Sequence, residues 1–264
     1  MLAHAPRAVD DARTPNRLRI GTVPLDPVTL GEAVDRIDAL IAAGRGGLVV
    51  TPNVDHVVKA ERDAEFRAAC QGAHLSVADG MPLVWASGLL APRLPGRVCG
   101  ADLILPLGER AARRGWRVYL LGGSPGVAPR VGAAFARAGA DVVGTEAPAL
   151  TLGPGGEVAT RVALARIRAA APHLLLLGLG TPKQEIWAHR HLDALRPAVV
   201  LGVGAGFDFA VGARRRAPRW MREAGLEWLH RLACEPRRLG RRYLVDDPAF
   251  LAILLRTWRE RRAG

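Results

Sequence analysis

The feature that most constrains this chain is an alternation. Short apolar runs rich in Val, Leu and Ile are each followed by a longer stretch of helical spacing, from Leu18 to Val203. Leu18–Val23, Leu48–Thr51, His74–Val77, Arg117–Leu121, Asp141–Val143, Leu174–Leu177 and Ala198–Val203 read as strands. Between them, Pro27–Ala43, Val54–Cys70, Met81–Leu90, Ala101–Arg114, Gly126–Ala138, Glu157–Ala170 and Pro182–Leu195 read as helices. A strand without a polar alternate is covered on both faces, and parallel strands need helical crossovers. The pattern therefore predicts an α/β fold: a Rossmann-like parallel sheet with helices on both faces.

With 264 residues the chain is long enough for one such domain and an appendage. Aromatics are only 5% of it, so the core is built from Ala, Val and Leu. The three cysteines, Cys70, Cys99 and Cys234, are odd in number and far apart, which argues against a disulfide framework and fits a reducing, cytoplasmic setting. No apolar run approaches the roughly 18–20 residues that span a bilayer. Residues 1–17 carry charges and prolines without an apolar centre, so they read as a disordered lead-in rather than a secretory signal. Residues 18–212 form the α/β domain in this reading.

Residues 213–264 break the alternation and read as helix upon helix. From Arg214 onward there are 14 arginines against six acidic residues, interleaved with Trp220, Trp228, Leu229, Leu232, Tyr243, Phe250 and Trp258. Arginines and tryptophans at helical spacing suit a surface that meets polyanions, either an anionic membrane or nucleic acid. Because the segment lies beyond the last strand, the sheet's core is expected not to depend on it.

In a parallel α/β sheet ligands sit at the carboxyl ends of the strands, so the residues that follow each strand carry the chemical reading. After Leu48–Thr51 come Asn53 and Asp55, either of which suits the N-cap of the next helix, and capping is the favoured reading of Asp55. After His74–Val77 comes Asp79, which suits either a cap for the next helix or a base at the rim. Gly122-Gly123 make a tight turn into a helix N-terminus able to hold a phosphate, although it is neither G-x-G-x-x-G nor a Walker A loop. Lys183 in the first turn of a helix opposes the macrodipole, for which a bound anion is an offset. Asp208 follows a glycine-rich turn that could admit a flat ring. The histidines show no i, i+4 pair and no cysteine at ligand spacing, and D-x-D is absent, so no metal site is expected.

Taken in order, Thr51-Pro52-Asn53, Ala78-Asp79-Gly80, Arg97-x-x-Gly100-x-Asp102, Gly178-x-Gly180-x-Pro182-Lys183-Gln184-Glu185 and Gly202-Val203-Gly204 with Phe207-Asp208 form a specific set. Arg216-Ala217-Pro218-Arg219-Trp220, Gly225-Leu226-Glu227-Trp228 and Glu235-Pro236-Arg237-Arg238 follow them. The set closely resembles the WecG/TagA/CpsF family of bacterial glycosyltransferases from about Ile20 to Leu251. That resemblance implies metal-independent, inverting transfer from a UDP-sugar, often N-acetylmannosamine or its uronic acid. The implied acceptor is a polyprenyl-diphosphate-linked sugar at the cytoplasmic face of the membrane, and no cofactor is implied. It also implies Asp79 as general base with Thr51 and Asn53 beside the sugars, and Arg97 and Gln184 as ligands of the diphosphate or sugar. Asp208 is the implied uracil contact, and Arg231, Arg238 and Arg241 are the implied arginines that complete the site from the appendage. Oligomeric state is left open. The alternative is an α/β protein that binds nucleic acid through its Arg/Trp tail. It is disfavoured because a binding surface has no need of Asp79, Gln184 and Asp208 at strand ends. A nucleotide-dependent oxidoreductase lacks its glycine motif here.

Overall fold

The computed structural model describes residues 16–263, apart from the side chains of Glu223 and Arg238, so most of the expected lead-in lies outside it. Arg17 already belongs to the fold, paired with buried Asp26 at 2.6 Å. The first expected strand is instead a hairpin, β1 (Leu18–Ile20) and β2 (Val23–Leu25), with Leu18 opposite Leu25. Gly21 at φ +57° turns the chain there. A Cβ at that position would meet Glu61 at 2.6 Å and Ile253 at 2.7 Å, so the turn requires glycine twice over.

The remaining strands are β3 (Gly47–Val50), β4 (Leu75–Ser76), β5 (Arg117–Gly122), β6 (Asp141–Glu146), β7 (Leu174–Gly178) and β8 (Val199–Gly202). They form one parallel six-stranded sheet in the order β4-β3-β8-β7-β5-β6. Their period of two divides the core. Val49, Val118, Leu120, Leu174, Leu176, Val199 and Leu201 enter a cluster on one face. Leu48, Val50, Leu121, Leu175, Leu177 and Val200 enter another on the opposite face.

Helices α1 (Leu30–Ala42), α5 (Gly100–Arg114) and α6 (Val127–Arg137) cover the first face, and α7 (Glu157–Ala170), α8 (Lys183–Arg190) and α9 (Leu192–Leu195) the second. Thr29 and Glu32 close a capping box at the start of α1. The helix expected over Val54–Cys70 is two, α2 (Val54–Arg62) and α3 (Ala64–Gln71). Asp63 divides them, because its carboxylate caps the second by accepting from the N–H groups of Glu65 and Phe66. The shorter α4 (Met81–Ser87) and α10 (Gly206–Ala210) follow β4 and β8 at the open edge of the sheet.

Beyond α10 the chain is helical, as expected: α11 (Arg219–Glu223), α12 (Glu227–Cys234), α13 (Pro236–Arg241), a π-helical turn over Arg242–Asp246, and α14 (Ala249–Ala263). The segment is packed on the body through a cluster separate from the two that cover the six-stranded sheet. Phe250 and Ile253 of α14 share a cluster with Leu18, Ile20, Val23, Val57 and Phe66. The Thr257 hydroxyl accepts from the Gly21 N–H at 2.9 Å, and Arg256 pairs with Glu61 at 2.7 Å. These contacts close the chain's last helix onto its first hairpin and α2. No helix among the described residues is long and apolar enough to cross a membrane.

Candidate active site

Parallel strands deliver all their carboxyl ends to one edge, and a cavity of about 710 Å³ opens there beneath the C-terminal helices. Its wall includes Thr51, Asn53, Asp79, Arg97, Gly123, Gln184, Asp208 and Arg231, so eight of the twelve expected site residues meet in one place. Arg222, Glu227, Trp228, Arg242, Tyr243 and Asp247 join them from the C-terminal segment.

Asp79 caps nothing. Gly80, at φ +147°, is the residue that precedes α4, and the helix start has no side-chain cap. The carboxyl is thereby left to face the cavity. Burial pushes it above the usual carboxylate range, against the Cys99 thiol that hydrogen-bonds to it and the charges of Arg97 and Arg231; Glu227 adds to the rise. A carboxylate raised in this way is a better proton acceptor near neutral pH.

Arg97 is engaged within the protein. Its Nη1 donates to Glu227 Oε2 at 2.6 Å and its Nη2 to Asp102 Oδ2 at 3.1 Å. Arg216 donates to Asp102 as well, at 3.0 Å through Nη2, and to Glu227 at 3.4 Å. This cluster joins α5 to the segment after α10, and its guanidiniums hold the Asp102 carboxyl below its usual range in spite of burial.

The other side of the cavity is built around Asn53. Its side chain is the N-cap of α2, accepting from the His56 N–H, so of the two candidate caps the helix uses Asn53 and not Asp55. Asp55 sits in the first turn, paired with Lys59 and, at 3.6 Å, with Arg242. Gln184 is buried; its amide donates to Glu185 Oε1 at 2.7 Å and accepts from the Gly204 N–H at 3.0 Å, which shapes the loop after β8. The Thr51 hydroxyl donates to the Gly202 carbonyl at 3.3 Å. Asp208, on α10, is buried and belongs to the cavity wall. Asp247, which the sequence did not single out, is raised to about 6 by burial, with Arg242 opposing.

Gly122, Lys183 and Arg241 do not line the cavity, and the Arg238 side chain lies outside the described residues. Gly122 serves strand packing: a Cβ there would meet the Gly178 backbone at 2.8 Å. Lys183 instead donates to the Leu150 carbonyl at 2.9 Å. Arg241 is exposed, and its neighbour Arg242 takes the inward place, with Nη2 on Asn53 Oδ1 at 3.1 Å. A π-helical turn begins at Arg242.

His230 and Cys234 are one turn apart on α12, with the sulfur 3.9 Å from the ring, a His/Cys spacing the sequence reading passed over. Two ligands do not make a site. Among the described residues no three His, Cys, Asp or Glu side chains form a metal-ligating group. The model of the glycosyl transferase WecG/TagA/CpsF family matches residues 18–264, which takes in every strand, the cavity and the C-terminal helices. The chain belongs to the WecG/TagA/CpsF family of glycosyltransferases, which serves cell-surface polysaccharide synthesis.

Proposed function

We propose that this glycosyltransferase moves a hexosamine-type sugar, N-acetylmannosamine or a relative, from a UDP-sugar to a polyprenyl-diphosphate-linked sugar with inversion at the anomeric carbon. One observation carries the reading. The cavity that holds the raised Asp79 carboxyl is also lined by five arginines, Arg97, Arg214, Arg222, Arg231 and Arg242. Guanidiniums gathered around one cavity suit a ligand bearing phosphates.

In a single displacement Asp79 takes the proton of the acceptor hydroxyl, and that oxygen bonds to the anomeric carbon. The bond from this carbon to the β-phosphate oxygen breaks on the opposite face, and its electron pair leaves with UDP. Guanidiniums are suited to stabilise that charge without a divalent ion. Asp208, near the glycine-rich end of β8, is assigned to the uracil edge. Thr51 and Asn53 are assigned to the sugars, and Gly123 with its turn to a phosphate.

The same reading makes the protein peripheral on the cytoplasmic face of the membrane. Support comes from exposed Trp220, Leu229, Leu244, Val245 and Leu251 among the arginines of the C-terminal segment. Trp85 on α4 is also exposed and lies against Gly225, so the apolar surface continues onto the body. Each basic residue near an anionic leaflet contributes about 1 kcal/mol.

Thermal unfolding in the presence of UDP-sugars, NAD(P) and single-stranded oligonucleotides tests the reading. A ligand at a hundred times its dissociation constant adds about 2.7 kcal/mol to apparent stability. Stabilisation by UDP-sugars alone is expected; stabilisation by oligonucleotides without a response to any UDP-sugar would overturn it.

A further inference from the structure

His56 is a buried histidine that the displacement above does not use. It lies on α2 directly behind Asn53, beside the Phe66 ring at a centroid distance of 5.4 Å. Its Nδ1 is 3.0 Å from Asn53 Oδ1, and its Nε2 is 3.3 Å from Glu185 Oε1 and 3.1 Å from the Thr181 hydroxyl. Glu185 is itself buried, and Oε1 also receives the Gln184 amide at 2.7 Å and the Thr181 hydroxyl at 3.2 Å. The imidazole is therefore gripped at both nitrogens and has little freedom to turn.

The partners of Asn53 decide which way its amide faces. Three donors converge on one side-chain atom: the His56 backbone N–H at 3.4 Å, His56 Nδ1 at 3.0 Å and Arg242 Nη2 at 3.1 Å. Neither a guanidinium nor a backbone N–H can accept a hydrogen bond, so the atom they share is the carbonyl oxygen, and His56 Nδ1 carries a proton. Asn53 Nδ2 then has no partner among the described residues, and Asn53 borders the cavity.

We propose that His56 is a positioning residue: together with Arg242 it fixes the Asn53 amide with its oxygen held by protein and its NH2 presented to the bound sugar. Asn53 thus meets the sugar as a hydrogen-bond donor, to a hydroxyl or acyl oxygen. The buried Glu185 carboxylate, Thr181 and Gln184 hold the ring that holds the amide. This rests on the glycosyltransferase reading of the same cavity. Arg242 links that amide to the π-helical turn, so the C-terminal segment and the body grip one oxygen from two sides.

Asn53→Asp separates the role from mere helix capping. Aspartate caps a helix as well as asparagine and still accepts from His56 and Arg242, but it donates nothing. The expected result is an unfolding temperature close to wild type with kcat/KM for UDP-sugar transfer lowered about 100-fold. His56→Leu is expected to lower kcat/KM about tenfold in the wild type and less than about twofold in the Asn53→Asp background, because both changes remove one function. His56→Gln, which retains a donor, should regain part of the loss and serves if the leucine variant does not fold. Full activity of Asn53→Asp, or losses that simply multiply in the double variant, would overturn the proposal. Should the wild type transfer no sugar, the functional reading fails on its own. The amide orientation is then read from 15N NMR of histidine-labelled protein: a protonated His56 Nδ1 that shifts on Asn53→Ala supports it, and an unprotonated Nδ1 overturns it.

Discussion

Phe250→Ala tests whether the last helix is part of the folded body. Phe250 is 6% exposed and packs in the cluster that includes Leu18, Ile20, Val57 and Phe66, more than 180 residues earlier in the chain. Truncating a buried phenylalanine costs about 3–5 kcal/mol, from lost burial and the cavity left behind. For a chain of this size each kcal/mol moves the unfolding midpoint by about 2–4 °C, so a fall of roughly 6–20 °C is expected. The neighbouring Leu251 is 69% exposed, and Leu251→Ala should stay within about 0.5 kcal/mol of wild type. Scanning calorimetry of both variants at matched pH and protein concentration reads the difference. Equal midpoints for the two would show that α14 is not packed on the hairpin. By the same reasoning, removal of Arg214–Gly264 should uncover the cluster and leave a body that unfolds without a sharp transition.

Three further expectations follow from the site. Cys99→Val removes a hydrogen bond that favours the ionised Asp79, so the Asp79 pKa should rise further and the acid limb of the kcat/KM profile should move to higher pH, with turnover lost first at low pH; an acid limb that stays in place or moves down would contradict this. Asp208→Ala should weaken UDP binding about tenfold or more while kcat changes little, because a contact to the base is the same in ground and transition states; an unchanged dissociation constant in calorimetry would remove Asp208 from the uracil. Turnover should persist in EDTA, with arginines supplying the charge on the leaving group; loss in chelator with recovery in Mg²⁺ or Mn²⁺ would contradict that.

The central sheet is legible because strands such as Leu174–Leu177 and Val199–Leu201 are apolar on both faces, a pattern with few other uses. Leu18–Val23 misleads because a turn at Gly21 leaves three-residue strands on either side, too short for alternation to register. Asp79 is legible as a rim carboxylate, but its freedom from capping depends on the Gly80 backbone, which composition does not reveal. His56 is illegible for a different reason. Its partner Glu185 lies 129 positions away, and a single histidine on a helix gives no sign of one. The packing of α14 did leave a trace: Phe250, Ile253 and Thr257 stand at i, i+3 and i+7, the face that turns inward. Arg242 rather than Arg241 reaches the site, and composition does not distinguish two adjacent arginines that a helix points to different sides.

Asp79→Asn tests the central claim most directly, by measuring single-turnover transfer from a UDP-sugar to a polyprenyl-diphosphate-linked sugar alongside UDP affinity. The amide keeps the shape of the side chain and cannot take a proton. The expected result is a loss of about 10²–10⁴-fold in the rate of transfer with UDP bound within about threefold of wild type. A variant that transfers sugar at the wild-type rate would contradict Asp79 as the base and, with it, the displacement built upon it.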